Sequence, residues 1–291
     1  MANVSTTNAR ANTEPRTDSV RVFYLAGNAL HSVELRGATG QTIQEWQWGL
    51  PRSSAHEDYA GLSCESGGTV IAHVSKNVST DPLRARRSDI VLLDVHRRTI
   101  APLGITTDSN LSWPVISPDG TWLAATAYGA GPDALAIVDR NAKKIKLATY
   151  SQGVSPHSWS ARGDKIYATA LEKSGQGPKV VEYAVKQERF TAIVAGSRPV
   201  PSGSKGLLAF LDPESGVIRV NDSNGVQVVQ ISKGFKDVVG WIDDFRLLAI
   251  SSTGGPDDLG IVDIRTRDVI AYSLATRGEI NGACIAPKQR K

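Results

Sequence analysis

One pattern of apolar and polar positions recurs along the chain about every forty residues. Four copies place a short apolar strand after a polar turn, and the matching strand positions are Leu123, Ile166, Leu208 and Leu248. A period near forty with two or more strands per unit is typical of a β-propeller, whose blades cannot bury their faces alone and must stack. The pattern therefore predicts an all-β fold of repeated blades.

Each repeat unit contains four predicted strands. Two apolar strands meet at a tight turn, as in residues 118–120, where the run PDG supplies the fixed φ of proline and the positive φ of glycine. The other two strands form a hairpin that turns after an aspartate, as at Asp94, Asp139 and Asp263. Six such hairpins can be counted, which predicts six four-stranded antiparallel blades.

The two ends of the chain complement each other. The first hairpin has no inner strand ahead of it, whereas residues 280–288 match an inner strand with nothing behind it. We therefore predict that the C-terminal strand pairs with the blade that begins at Val20 and closes the ring, which removes exposed sheet edges there. The predicted domain spans 20–288, with a disordered tail at 1–19 and a short tail at 289–291. The predicted blades are 280–288 with 20–48, then 56–105, 108–150, 153–195, 196–233 and 235–275.

Composition and charge narrow the class of protein. The 291 residues are 41% hydrophobic and 21% charged, as in an ordinary soluble globular protein with a sizeable core. The net charge of +4 comes without a concentrated basic stripe, which argues against a dedicated nucleic-acid binder. The N-terminus has no apolar run of signal-peptide length, and no window resembles a membrane span. We predict a cytoplasmic protein, or a periplasmic or secreted one if an export signal has been removed.

Two cysteines are present, Cys64 and Cys284. They are too few for a disulfide framework and lack the spacing of zinc ligands. Because each lies in an apolar strand context, we interpret them as buried free thiols. The alternative is a single bridge near the ring closure.

The second blade is longer than the others. The repeat spacing between Ile71 and Leu123 is about ten residues greater than elsewhere, and the excess falls between the second and third strands of this blade. Arg84, Arg86 and Arg87 make the insertion basic. Loops on rigid scaffolds often carry function, so one hypothesis is a surface for an anionic partner. The alternative is a solvated loop without a partner.

One copy of the repeat carries a recognisable motif. Residues 113–124, WPVISPDGTWLA, resemble the WD-like propeller repeat of TolB and of the propeller domains of prolyl-oligopeptidase-type peptidases. In the other copies the turn has drifted, but Trp159 and Trp241 keep the aromatic position, and we interpret them as structural. The resemblance covers residues 20–288 as architecture.

The resemblance also carries functional expectations. TolB-like propellers mostly bind proteins or peptides at the mouth of the channel, and some relatives have become lyases or hydrolases. The N-terminal α/β domain of TolB and the catalytic domain of the peptidases have no counterpart in this sequence. Neither function therefore transfers directly.

No sequence-local motif for hydrolase, zinc, nucleotide or dinucleotide chemistry is present. A propeller site collects one residue from each blade, so we examined the segments that enter the innermost strands, which we expect to line one channel mouth. Trp113 is a candidate for binding there, although packing between blades would also explain it. The candidate ligand or partner residues are Trp113, His157, Arg198, Lys236 and Glu279, together with Arg84, Arg86 and Arg87. If the protein is an enzyme, the candidate catalytic residues are His56, Asp58, His157, Arg198 and Asp237.

Three functional hypotheses follow. The first is a non-catalytic interaction module or scaffold subunit that binds a protein or peptide at the channel mouth or along blade edges. The second is a lyase or hydrolase built from the channel residues. The third is a carbohydrate-binding propeller that uses Trp113, or Trp46 and Trp48 as an exposed aromatic pair, although we favour packing onto the next blade as the explanation of these two. We predict no cofactor and no metal site.

Overall fold

All regular structure that the computed structural model describes is β-strand. The described residues are 19–36, 42–51, 57–65, 69–77, 86–105, 107, 109–129, 132–172, 176–232, 234–251, 256–272, 274 and 278–286. Within them lie 24 strands in six four-stranded antiparallel sheets. The predicted six-bladed propeller is confirmed. The predicted tails lie outside the described residues, except for Ser19, which begins the first strand.

In each blade the chain runs from the innermost to the outermost strand, except that the innermost strand of blade one comes from the C-terminal part of the chain. Blade one consists of β1 (Ser19–Ala26), β2 (Ala29–Arg36), β3 (Thr42–Gly49) and the C-terminal strand β24 (Ile280–Ile285). Blade two consists of β4 (Glu57–Cys64), β5 (Thr69–Asn77), β6 (Arg86–Asp94) and β7 (Thr99–Pro102). Blade three consists of β8 (Asn110–Ile116), β9 (Trp122–Tyr128), β10 (Ala134–Asp139) and β11 (Lys144–Thr149).

The last three blades have the same order. Blade four consists of β12 (Gly153–Trp159), β13 (Lys165–Leu171), β14 (Pro178–Ala184) and β15 (Arg189–Ala195). Blade five consists of β16 (Ser197–Pro201), β17 (Leu208–Asp212), β18 (Val217–Asn221) and β19 (Gln227–Ser232). Blade six consists of β20 (Phe235–Trp241), β21 (Arg246–Ser251), β22 (Asp258–Asp263) and β23 (Val269–Tyr272). The innermost strands β24, β4, β8, β12, β16 and β20 surround the central channel.

The ring closes through β24, as predicted. This strand pairs antiparallel with β1, and its register places Cys284 opposite Phe23. Apolar side chains then fill the space between the closing blades, as where Tyr24 of blade one packs with Leu248 of blade six. The termini of the ordered domain thus meet within one sheet.

A disulfide joins Cys64 of β4 to Cys284 of β24, with 5.6 Å between the two Cα atoms and 220 residues between the cysteines in the chain. The interpretation as two free thiols is therefore wrong, and the alternative of one bridge near the ring closure is correct. The physical reason is the closure itself. It brings the last inner strand alongside β4, where the backbones approach so closely that a Cβ on Gly282 would lie 2.9 Å from the backbone nitrogen of Leu62.

A serine at the start of the repeat turn explains why the turn forms even where the sequence Ser-Pro-Asp-Gly is not kept. In blade three the Ser117 hydroxyl donates to Asp119 at 2.5 Å and accepts from the backbone N–H of Trp122 at 2.9 Å. Ser202 of blade five accepts the corresponding backbone hydrogen bond, from Leu207 at 2.9 Å. One hydroxyl therefore closes the turn whether or not the PDG sequence follows.

Trp159 and Trp241 tie neighbouring blades together. The indole N–H of Trp159 donates to the Val115 carbonyl of blade three, and that of Trp241 donates to the Val200 carbonyl of blade five, both at 2.9 Å. The same inter-blade hydrogen bond thus occurs twice, which supports their structural interpretation.

Trp46 and Trp48 do not form an exposed aromatic pair. Trp48 is 8% exposed and packs in the cluster that contains Tyr59 of blade two. Trp46 is half-buried against the same cluster, with the Arg98 guanidinium carbon 5.1 Å from its ring centroid. Packing onto the next blade is therefore the correct alternative for these two residues.

Part of the predicted basic insertion of blade two belongs to strands and not to a loop. β5 continues to Asn77 and β6 begins at Arg86, so Arg86 and Arg87 are strand residues that pair with Asn77 and Lys76. Arg84 lies outside the described residues. The prediction that Arg86 and Arg87 lie on an inserted loop is therefore wrong, because both belong to β6.

The outermost strands each have a feature that hinders pairing with another chain. β7 and β23 are only four residues long. β11 carries Lys144 and Lys146. β-bulges interrupt the pairing of β3, β15 and β19 with their neighbours. The described outer edges therefore do not offer long, flat, uncharged strands.

Candidate functional site

Irregular inner strands determine which side chains face the channel. β-bulges interrupt β4 between Ala60 and Leu62, and β8 between Ser112 and Val115. Similar irregularities occur in β12, β16 and β20. A bulge adds an unpaired residue and changes the direction of its side chain. The residues in or beside these interruptions are Gly61, Trp113, His157, Arg198 and Asp237.

These positions lie within the inner strands, whereas the sequence pattern placed them at a mouth. A cavity of about 380 Å³ extends from this level to the turns that follow the inner strands, such as the turn at Ser117. Its lining comes from the middle and second half of the inner strands, except that β16 contributes Arg198 near its start. The predicted residues that it brings together are Trp113, His157, Arg198 and Asp237.

Arg198 is at the centre of the contacts in this group. Its Nη1 lies 3.5 Å from Oδ2 of Asp237, and its guanidinium carbon lies 5.7 Å from the ring centroid of Trp113. The second contact is within the range of a cation–π interaction. The backbone N–H of Arg198 donates to the Thr169 hydroxyl at 3.0 Å, which fixes the main chain at the bulge.

Burial shifts the pKa of two groups in the cavity. Burial lowers the pKa of His157 well below its usual range, and the charge of Arg198 lowers it further. Burial raises the pKa of Asp237, although Arg198, the Val238 backbone N–H and Lys236 oppose that shift. Both residues are half-buried between neighbouring inner strands and line the cavity. His157 is therefore a neutral imidazole at pH 7.

Polar atoms in the cavity have unused hydrogen-bonding capacity. Among the described residues, the His157 imidazole makes no hydrogen bond. Within the same ranges, the only polar contact of the Arg198 guanidinium is the long one to Asp237. Polar groups of native proteins are usually satisfied where they are withdrawn from water, so such groups around a cavity indicate a place for ligand or water atoms.

Glu65 and Arg140, which the sequence patterns did not identify, lie at the outer end of the cavity. Arg140 Nη1 donates to Glu65 Oε1 at 2.7 Å and to the Gly120 carbonyl at 2.5 Å. The side chain of Arg140 is 16% exposed and that of Glu65 is 22% exposed, and the two residues belong to different blades. This ion pair fixes the turn of blade three against blade two. No local motif marks it, because the partners are 75 residues apart.

The opposite wall of the cavity was also not predicted. Gly61, Gly282 and the disulfide line it. Glycine leaves this wall without side chains at the level of Arg198. The periodic pattern contains the signal, since glycine occupies the inner strand in both closing blades.

Lys236 and Glu279 lie elsewhere and contact each other. Lys236 Nζ is 3.7 Å from Glu279 Oε1 and forms an ion pair with Asp257, which is 4% exposed. Asp257 also accepts the backbone N–H of Ile280 at 2.6 Å. This cluster holds the start of β24 and does not line the cavity. Asp257 was not predicted, because it precedes β22 without a recognisable motif.

The remaining catalytic candidates do not join the group. Asp58 is exposed near the start of β4 and is not part of the cavity lining. His56 lies outside the described residues. The hypothetical catalytic set is therefore reduced to His157, Arg198 and Asp237. No group of three His, Cys, Asp or Glu side chains that could hold a metal ion occurs within the described ranges.

The architecture and the central cavity define the protein as a six-bladed β-propeller. No known family model matches the sequence, and no curated protein matches it. In the part of the chain that the structure describes, no helix is long and apolar enough to cross a membrane.

Solved structures share this fold at low sequence identity. TolB from Acinetobacter baumannii is 16% identical over 94% of this chain and 68% of its own, with a TM-score of 0.73. A chain of a nidogen/laminin complex is 11% identical over 93% and 100%, with a TM-score of 0.70. An oligogalacturonate lyase in complex with manganese is 15% identical over 81% and 74%, with a TM-score of 0.56. These likenesses show the fold alone, which occurs both in a protein complex and in an enzyme.

Proposed function

We propose that the protein is an interaction module that binds a peptide segment of a partner protein in the central cavity. The observation that carries this proposal is the unused hydrogen-bonding capacity of His157 and Arg198 among the described residues around the cavity, beside Asp237 and the ring of Trp113. A few polar groups converging on a partly apolar cavity are typical of binding sites.

Backbone strain supports the same location. Trp113 and Arg198 both have a φ of 54° although neither is glycine. This conformation costs about 1–2 kcal/mol for such residues. Strain of this kind persists where the surrounding structure imposes it, and it is concentrated at ligand sites. Five other described non-glycine residues have a positive φ, and all lie in turns, where the conformation is ordinary. Ser151 lies in the turn before β12, and the other four lie in the hairpin turns after the third strands; they are Arg98, Lys143, Glu188 and Arg267.

The blade edges are a poorer place for a partner. Addition of a partner strand requires a long edge with free backbone groups. Each described outer strand is short, carries lysines or is interrupted by a bulge, so none offers such an edge. The cavity is therefore the better place for a partner. The sequence alone did not discriminate between the cavity and the blade edges.

The size of the cavity limits what can enter. A volume of about 380 Å³ is within the range of ligand pockets and accommodates a few side chains, but not a domain. A loop or a chain end of the partner is therefore the appropriate occupant. The nidogen/laminin neighbour is consistent with a protein partner for this fold.

The disulfide supports an oxidising compartment. Disulfides form and persist in secreted and periplasmic proteins and are rare in the cytosol. We therefore favour the periplasmic or secreted alternative over the cytoplasmic one.

Site-specific photo-crosslinking tests the proposed location. Benzoylphenylalanine in place of Val239 would lie in the cavity wall, whereas the same group in place of Leu147, a residue 50% exposed on outer strand β11, serves as the matched control. Irradiation in an extract of the source cells should give a discrete crosslinked protein from the cavity position, and Arg198→Leu should abolish it. A crosslink from the outer strand alone would contradict the proposal.

A second candidate function is acid–base catalysis. The pKa of His157 is lowered and that of Asp237 is raised in the same cavity, and titratable groups with opposite shifts are common in active sites. In such a reaction the His157 imidazole would accept a proton and Asp237 would donate one. Assays on oligogalacturonate and on chromogenic esters test it, because His157→Ala should lower any kcat/KM about 100-fold or more. Equal turnover by both proteins would exclude this role.

A further inference from the structure

The deep end of the cavity has more donors than acceptors. Within the described residues, Nε and Nη2 of Arg198 have no protein partner, and a neutral His157 provides one N–H donor and one acceptor nitrogen. The carboxylate acceptor at this level is Asp237, which already faces Nη1 of Arg198 at 3.5 Å. The glycines of the opposite wall contribute no side chains. A bound group therefore meets chiefly N–H donors.

The guanidinium of Arg198 is held in place before a ligand arrives. Trp113 lies against it at 5.7 Å, Asp237 contacts one nitrogen, and Thr169 accepts the backbone N–H. A planar guanidinium with two free parallel donors matches the two oxygens of a carboxylate. Less side-chain entropy is lost on binding when the fork is already oriented.

We infer that the cavity recognises a carboxylate on the inserted peptide, with Arg198 as its main donor. This inference rests on the proposed function, and it specifies the chemical class of the group that reaches the deep end. The carboxylate can come from the C-terminus of a chain or from an acidic side chain. Trp113 packs beside it and Asp237 holds the opposite side of the guanidinium.

The groups that face the carboxylate also predict a proton change. Arg198, His157 and Asp237 surround it, Lys236 acts on Asp237 from the neighbouring position, and Glu65 at the outer end is already paired with Arg140. A new negative charge makes protonation of both His157 and Asp237 more favourable. Binding should therefore take up protons and weaken as the pH rises. Calorimetry in two buffers of different ionisation enthalpy measures this uptake.

Three pools of random tetrapeptides test the carboxylate. The first is acetylated, has a free C-terminus and contains no Asp or Glu. The second is identical but amidated. The third is acetylated and amidated and contains one Glu. After ultrafiltration with the protein at millimolar peptide, mass spectrometry should show the first or the third pool retained about 10- to 100-fold better than the second, as expected for a charge-assisted pair.

Variants separate recognition from folding. Arg198→Leu should lose the preference for carboxylate pools, and Arg198→Lys should keep part of it, because lysine retains the charge but not the fork. Arg189→Leu, which changes an exposed arginine on outer strand β15, is the matched control and should behave as the wild type. Circular dichroism melts of all variants verify that they fold.

The outcomes distinguish this inference from the proposed function. Retention of the first pool alone identifies a chain terminus, and retention of the third identifies an acidic side chain. Equal retention of all three pools by the wild type, with loss in Trp113→Ala, would overturn the carboxylate inference and leave peptide binding standing. Retention of no pool would contradict both.

Discussion

The channel wall has two regions of different composition. We call the wall of blades one and two the closing half and the wall of blades three to six the polar half, although the second contains more blades. In blades one and two the inner strands bring Gly61 and Gly282 together, and a disulfide joins their ends. In blades three to six the same level of the wall carries the side chains that surround the cavity; these are Trp113, His157, Arg198 and Asp237. One half minimises side-chain volume so that backbones can touch, and the other half projects polar and aromatic groups.

This difference shows how a repeat fold separates stability from function. The closing half contains the contacts that make a ring from a linear chain. The other half tolerates strain at Trp113 and Arg198 and polar groups without partners, features that lower stability. Substitutions in the closing half should therefore lower stability, whereas substitutions in the polar half should lower binding.

Removal of the disulfide should have the largest effect on stability. Cys64→Ser with Cys284→Ser releases a long covalent loop, so the free energy of unfolding should fall by about 2–5 kcal/mol. Chemical denaturation with and without reductant measures the change. The wild type should respond to reductant and the double variant should not. Equal midpoints for the wild type and the variant would mean that the closing half does not depend on its covalent bond.

Gly282→Ala tests the close approach of backbones in the closing half. The added Cβ would lie 2.9 Å from the Leu62 nitrogen and 3.0 Å from the Gly61 nitrogen, so we expect a loss of about 1–3 kcal/mol, the usual cost of overpacking. Gly203→Ala is the matched control, because nothing lies within 4 Å of its Cβ, and it should change stability by less than about 0.5 kcal/mol. Equal denaturation midpoints for the two variants would refute the close approach.

The fold was predictable because its signals are local and repeated. The positions of Leu123, Ile166, Leu208 and Leu248 recur at nearly constant spacing, and each marks a buried second strand of a blade. The unmatched strand at the C-terminus identified the closure for the same reason. The disulfide was misassigned because its partners are distant in sequence, and only the closed ring makes them neighbours.

Acidification should test the polar half of the wall. The folded protein holds the pKa of His157 below the usual value of 6.5, so the unfolded state binds the proton more readily. The stability contributed by a neutral His157 is therefore complete above pH 6.5 and is lost as the pH falls below it. The slope of unfolding free energy should approach at most about 1.4 kcal/mol per pH unit for one proton.

Two variants make the pH measurement specific. His157→Gln should flatten the slope between pH 6.5 and 5, whereas His96→Gln changes an exposed imidazole in an outer hairpin and is the matched control. If the two variants have the same slope in thermal melts across this range, the neutral state of His157 is not responsible for it.

Arg198→Gly should have the smallest effect on stability and a large one on binding. Glycine relieves the positive φ at this position, while the chain gains entropy in the unfolded state, so the two terms nearly cancel and stability should stay within about 1 kcal/mol of the wild type. The photo-crosslink from the cavity should disappear. A stability loss as large as that of Gly282→Ala would mean that both halves of the wall are structural.

The site was predictable in part. The inner strands were the correct place to look, and Trp113, His157, Arg198 and Asp237 do share one cavity. The bulges that turn them inward leave no clear mark in the sequence, so their depth in the channel was not foreseen. Lys236 and Glu279 looked equivalent to them, but Lys236 pairs with buried Asp257, and Glu279 contacts Lys236 at the start of β24 instead of lining the cavity.

The origin of blade one has a consequence during protein synthesis. Its second, third and fourth strands are made first, and its innermost strand is made last. Translation at about 5–20 residues per second would leave the inner edge of β1 without its neighbour for on the order of 10–50 s. Throughout that interval the backbone groups opposite Phe23 and Leu25 form an open template for intermolecular pairing. Pairing with β24 then covers this edge and removes the template.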